Sequence, residues 1–234
     1  MNEEHRFVTL FCGVCGWQKV VQLSCGKRTC SLCRQKWFGQ HYNKLRTIVS
    51  GWARPRCLTL TYKNILDGRF SRRSVEQIRN HFSELRKRLK PWIRGGFYIP
   101  QATNSGNGWH LHLHVIYDGD YLQQKFVSEL WRKITKGSYV VGLSTPRSPA
   151  RAIRYLLSDF SGKPRIRPED FDVYNAVFHG SRMVQGFGTC KDVSLEGVKR
   201  CPKCGAEGSI SRLETIPGFD YETYIQKHPQ GLSP

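Results

Sequence analysis

The sequence predicts an α+β fold: an antiparallel sheet with its helices on one face, and zinc-binding appendages at both ends. Two observations carry this. Between about residues 54 and 160, stretches with two-residue hydrophobic periodicity alternate with stretches of helical periodicity, in the order β-α-β-β-α-β-α. The nine cysteines gather mostly in pairs outside that region. Three segments follow: 1–53, a cysteine-rich stretch with a basic helical tail; 54–162, the sheet-forming core; and 163–234, around a second cysteine cluster. A chain of 234 residues can bury a real core.

The first strand is "RCLTLTY", where Leu58 and Leu60 alternate with Thr59 and Thr61. Over residues 73–90, Val75, Ile78, Phe82, Leu85 and Leu89 recur at helical spacing opposite a face of Arg and Lys, until Pro91. "GGFYIPQAT" reads as a strand, and "NSGNG" as the turn into the next. That next strand, within "GNGWHLHLHVIYDG", sets His110, His112 and His114 on one face and Leu111, Leu113 and Val115 on the other. Leu122, Phe126, Leu130 and Ile134 predict a second helix over 121–135. "SYVVGLST" is a further strand, and Ala150 to Phe160 another helix. With helices on one sheet face, the imidazoles should line the open one. Neutral imidazole is the commonest metal ligand, and alternate strand positions lie roughly 6–7 Å apart, so two rings can share an ion.

Lys and Arg number 37 against 18 Asp and Glu, a net charge of +19 with a pI near 9.8. Such a surplus self-repels unless it meets an anion, and nucleic acid fits better than a membrane surface. No uncharged run approaches the ~18 residues of a spanning helix, and "MNEEHRF" is too acidic and polar for a signal peptide. The expectation is a cytoplasmic protein whose paired thiols hold zinc rather than disulfides.

Cys12-x2-Cys15 and Cys30-x2-Cys33 predict a four-thiolate zinc site, with Cys25 as a fifth candidate in a cluster that could use any four. Cys190, Cys201 and Cys204 predict a second site, completed by His179 or another cysteine. Cys57, inside a strand, should be a buried small hydrophobe.

"HLHLHVIY" resembles the two-histidine motif of the HUH endonucleases, the rolling-circle replication initiators of plasmids and phages and their relaxase and transposase relatives. "CLTLTYKN" (57–64) is similar to the strand motif that precedes it in those initiators. "RAIRYLLSDF" (151–160) is similar to their helix carrying a nucleophilic tyrosine. The motifs stand in the family's order across residues 54–160. The resemblance implies an HUH/RRM-like sheet and metal-dependent nicking and rejoining of single-stranded DNA through a 5′-phosphotyrosine. A plasmid or viral origin would be the substrate, with host helicase and polymerase as further partners.

Tyr155 is then the nucleophile. On a helix it falls opposite the apolar stripe of Ile153, Leu156, Leu157 and Phe160, so it looks presented rather than packed; Tyr139, Tyr117 and Tyr174 are the fallbacks. The family pattern fits His112 and His114 best, and His110 shares their face. The position where many relatives carry a glutamate ligand holds Gln101. A neutral ligand set favours Mn²⁺ over Mg²⁺. Two places depart from the family: Ser158 stands where a lysine is common, with Lys163 as a substitute, and Asp159 where some relatives have a second tyrosine.

For DNA contact the candidates are Lys63 and Asn64 past the first strand, Trp109 as a stacking ring, and Arg151 and Arg154 flanking the tyrosine. The alternatives are a relaxase, a single-strand transposase, or a non-enzymatic zinc-ribbon DNA-binding regulator.

Overall fold

The computed structural model describes residues 7–161, 165–193 and 200–213. Its strands are β1 (Phe7–Cys12), β2 (Gln18–Gln22), β3 (Pro55–Thr61), β4 (Ile93–Asn104), β5 (Trp109–Gly119), β6 (Val141–Ser144), β7 (Gln185–Gly188) and β8 (Ile210–Leu213). Its helices are α1 (Ser31–Ser50), α2 (Arg72–Leu89), α3 (Gln124–Thr135), α4 (Pro149–Leu156) and α5 (Phe171–Phe178). The chain divides into two compact units, Arg34–Val193 and the pair of segments Met1–Cys33 and Ser194–Pro234. The division thus differs from three consecutive segments: residues from both ends belong to one unit, because β1 pairs with β2 on one side and β8 on the other. Among the described residues no helix is long and apolar enough to cross a membrane.

In the larger unit five strands form one antiparallel sheet in the order β6-β3-β5-β4-β7. The strand and helix order expected from periodicity is the one found. On one sheet face, Leu58 and Leu60 of β3 and Leu111, Leu113, Val115 and Tyr117 of β5 are all fully buried. The α2 stripe (Val75, Ile78, Phe82, Leu85, Leu89) packs into the same core, at most 1% exposed. Each side chain of that size removed from water contributes roughly 1.5–3 kcal/mol before entropy is charged against it. In α3 the buried residues are Val127 and Trp131, with Leu130 and Ile134 partly buried beside them. Phe126 lies at the rim, 37% exposed, against Trp92. Helix α5, in the segment assigned to the second cysteine cluster, adds Tyr174, Val177 and Phe178 to this core.

Helices cover both sheet faces, not one. On the histidine side Cys57, Phe97, Ile99 and Ile116 are at most 2% exposed. Helix α4 lies on this side, Tyr155 reaching Thr59 and His114. Trp52, just past α1, stacks on Phe97 with ring centroids 6.1 Å apart, and Trp37 of α1 meets Phe160 edge-on. A strand apolar on both faces is buried on both, and β4 with Phe97, Tyr98 and Ile99 is such a strand.

That same alternation corrects the place of Trp109. As an odd-numbered residue of β5 it falls on the leucine face, where it is 1% exposed and stacked on Phe70 at 4.3 Å. It is a core side chain and not a base-stacking platform. Trp109→Ala should therefore destabilise the protein by about 3–5 kcal/mol, as for other large aromatics removed from cores. Chemical denaturation measures this, and an unchanged midpoint would mean the ring is not packed as described.

Candidate active site and cysteine groups

Strand β5 runs between β3 and β4 in a register that sets Thr61, His112 and Gln101 in one row, and Thr59, His114 and Ile99 in the next. Residues in one row share a face. His112 Nδ1 lies 3.1 Å from the Thr61 hydroxyl and His114 Nδ1 3.5 Å from that of Thr59. The two rings are 6.2 Å apart between centroids. Gln101, 6% exposed, brings its Oε1 to 2.5 Å from His114 Nε2.

His110 lies opposite Thr103 on the same face. Among the described residues, the groups of three or more His, Cys, Asp or Glu with mutually close ligand atoms are both made of cysteine. The three histidines therefore do not converge as a trio. What the fold brings together is His112, His114 and Gln101.

Tyr155 joins them from above. Its ring stands perpendicular to that of His114, 5.1 Å between centroids, and its hydroxyl shares a hydrogen bond with Thr59. The tyrosine is half-buried toward the sheet, so it is presented to the histidines and not to open solvent. Helix α4 ends at Leu156, and a short 3-10 turn at Ser158–Phe160 brings Asp159 beneath Gln101. Lys163 lies outside the described residues.

Burial decides the charge states. His114 is pushed down to about 4, by desolvation first and then by the charges of His112 and Arg165. His112 is lowered as well, by desolvation and then by His110. Tyr155 is pushed up to about 12, chiefly by burial. At neutral pH the site holds two uncharged imidazoles and a protonated phenol.

Imidazole nitrogens and an amide oxygen are donor types found around divalent cations in general. Both Nδ1 atoms face threonine hydroxyls, and His114 Nε2 donates to the Gln101 amide oxygen, so both nitrogens of that ring are engaged. Thr59 and Thr61 were not anticipated as site residues, although their alternation with Leu58 and Leu60 already set them on the histidine face. Asp159 and Tyr174 were also missed as partners of the site, since they lie distant in sequence from Gln101.

Of the expected DNA contacts, Lys63 and Asn64 are exposed at the end of β3. Lys63 N–H donates to Ser138 Oγ at 2.9 Å, and the Asn64 amide donates to the Asn107 carbonyl. Arg151 is exposed, its backbone N–H capped by Ser148, and Arg154 stacks its guanidinium over Tyr42 at 5.3 Å.

The cysteines regroup. Cys12 and Cys15 lie with Cys201 and Cys204, not with Cys30 and Cys33, and these four could hold a metal ion. Cys12 Sγ is 3.8 Å from Cys204 Sγ, and Cys15 Sγ is 3.6 Å from Cys201 Sγ. The two halves are alike. Gly16 N–H donates to the Cys12 carbonyl at 2.9 Å and Gly205 N–H to the Cys201 carbonyl at 2.8 Å, both glycines at positive φ. That turn needs a residue tolerant of the left-handed region, so "CGVCG" and "CPKCG" match each other while "CSLCR" matches neither. Ser209, 3.2 Å from Cys12 Sγ, lowers that thiol, while burial and the neighbouring thiols of the group raise Cys15.

Cys25, Cys30 and Cys33 form the second group, Cys25 Sγ lying 3.5 Å from Cys33 Sγ. The group that holds Cys201 and Cys204 is completed by other cysteines, Cys12 and Cys15, and includes neither Cys190 nor His179. Cys190 is a buried thiol raised by desolvation, and Cys57, 2% exposed, is the buried hydrophobe anticipated.

No protein-family model, curated protein or solved structure matches this chain.

Two measurements check this geometry. Cys201→Ser or Cys204→Ser should lower the zinc content by one ion per chain, measured by inductively coupled plasma mass spectrometry, while Cys190→Ser leaves it unchanged. Because the folded His114 binds its proton more weakly than the unfolded one, its contribution is complete above the unfolded value of 6.5. It is then lost as pH falls toward about 4. Wild type should lose up to about 3 kcal/mol more than His114→Gln over that interval. Parallel pH profiles of the two proteins would contradict the burial assigned to this ring.

Proposed function

We propose that this protein is an HUH-type endonuclease that nicks and rejoins single-stranded DNA at a plasmid or viral origin, with Tyr155 as nucleophile. One observation carries the reading: a phenol and two neutral imidazoles, brought from separate elements, meet on one sheet face beside an amide oxygen. Strand motif, histidine motif and tyrosine helix also stand in the order of that group.

The chemistry follows from the parts. The Tyr155 oxygen attacks the scissile phosphorus, the bond from phosphorus to the 3′ oxygen breaks, and the phenolic proton passes by way of solvent to that leaving oxygen. The phosphotyrosine ester keeps the bond energy, and attack by a 3′ hydroxyl reverses the step. A divalent ion held by His112 and His114 Nε2 with Gln101 Oε1 would neutralise charge developing on the phosphate. Thr59 holds the phenol in place; for His114 Nε2 to ligate, the proton it donates to Gln101 Oε1 would move to Nδ1, beside Thr59. A phenol held up near 12 is a poor nucleophile by itself, so the reaction should depend strictly on the cation. The net charge of +19 supplies affinity for the phosphate backbone independent of sequence.

The test is covalent capture. Labelled single-stranded DNA and Mn²⁺ should give a protein–DNA adduct stable on a denaturing gel, absent in Tyr155→Phe. Mn²⁺ should support it at lower concentration than Mg²⁺, because an uncharged ligand set holds the harder, more strongly hydrated ion poorly. An adduct that persists in Tyr155→Phe moves the nucleophile. The two cysteine groups favour a second reading, a zinc-stabilised DNA-binding regulator; intact DNA binding with no adduct under any metal would select it.

A further inference from the structure

Gln101 can turn either end of its amide toward His114, and the two choices have opposite consequences. The oxygen can ligate a cation; the NH₂ group would repel one. The structure resolves the choice through a residue outside the site. Gln101 Nε2 donates to Asp159 Oδ1 at 3.0 Å. A carboxylate has no hydrogen to give, so the amide oxygen cannot face it. Oε1 is thereby left toward His114 Nε2, at 2.5 Å.

Asp159 is itself fixed. The Tyr174 hydroxyl donates to its Oδ2 at 2.7 Å, the Arg34 guanidinium donates to its backbone carbonyl, and the residue is 7% exposed. A buried carboxylate is costly unless positive charge lies nearby, and the buried Arg34 guanidinium on the same residue supplies some. The ligand set of two imidazoles and one amide carries no charge of its own, a lack that Asp159 would offset for a divalent ion beyond the amide.

We infer that Asp159 is a positioning residue that aims the Gln101 oxygen at the histidines and supplies, one hydrogen bond behind it, the negative charge the ligands lack. It lies four positions after Tyr155 in the turn that ends α4, so one short segment fixes both the nucleophile and the third ligand. This deepens the proposed function and rests on its histidine-bound cation.

The experiment is Mn²⁺ titration calorimetry on the full, zinc-replete chain, with circular dichroism to confirm folding. Asp159→Asn keeps the shape but removes the charge and the constraint on the amide, and should weaken Mn²⁺ about 10- to 100-fold, as loss of outer-shell partners does. The double variant Gln101→Glu/Asp159→Asn moves the carboxylate into the ligand set and leaves an amide behind to donate to it. It should bind at least as tightly as wild type. Rescue of that kind is not expected of a residue that serves packing alone. Tyr174→Phe, which frees Asp159 Oδ2, should weaken binding in the same direction and serves if Asp159→Asn fails to fold. Asp159→Asn or Tyr174→Phe binding as wild type does, or a double variant no tighter than Asp159→Asn, would overturn the inference. His112→Ala/His114→Ala binding Mn²⁺ as wild type does would instead overturn the site reading beneath it.

Discussion

Everything in the larger unit depends on the two-residue alternation of β5. The strand is central in the sheet, with Leu111, Leu113, Val115 and Tyr117 fully buried on one side and the imidazoles on the other. A slip of one residue would exchange the two sets, burying three histidines in an apolar core and stranding four large side chains. The core therefore fixes the register, and the register fixes which threonines and which glutamine stand beside His112 and His114. Precision at the site comes from hydrophobic packing on the face away from it.

The second dependence is on neutrality. In a chain with a surplus of 19 positive charges, the region around His114 and Tyr155 holds groups that burial keeps uncharged. Outside it, exposed Arg and Lys residues of α2 and exposed arginines of α4 carry part of that positive surplus.

Local periodicity located the elements of the sheet and its helices, although in α3 it chose Phe126, which lies at the rim, over the buried Val127 and Trp131. The α2 stripe and the Leu/Thr alternation of β3 are present in the structure residue for residue. What failed to show was set by contacts distant in sequence. Helices on both sheet faces follow from β4 being apolar on both sides, a pattern that does not say what covers it. The pairing of Cys12 and Cys15 with Cys201 and Cys204 spans most of the chain, so the nearer Cys30 and Cys33 were the obvious but mistaken partners. The glycine that follows each true knuckle was the readable clue. Trp109 was misjudged because its neighbour His110 drew attention, although its own parity assigned it to the core. Asp159 stood out only as the residue in place of a second tyrosine, and nothing pointed to Gln101, since only the break between α4 and the 3-10 turn brings the two together.

The most direct test of the histidine face as a cation site is electron spin echo modulation of bound Mn²⁺. Imidazole ligands couple their ¹⁴N nuclei to the ion, whereas carboxylates and water do not. Couplings from two histidine nitrogens, reduced to one in His112→Ala and in His114→Ala, are the expected result. Modulation from water protons alone, with Mn²⁺ bound, would mean that the ion sits elsewhere and that the alternating histidines serve another purpose.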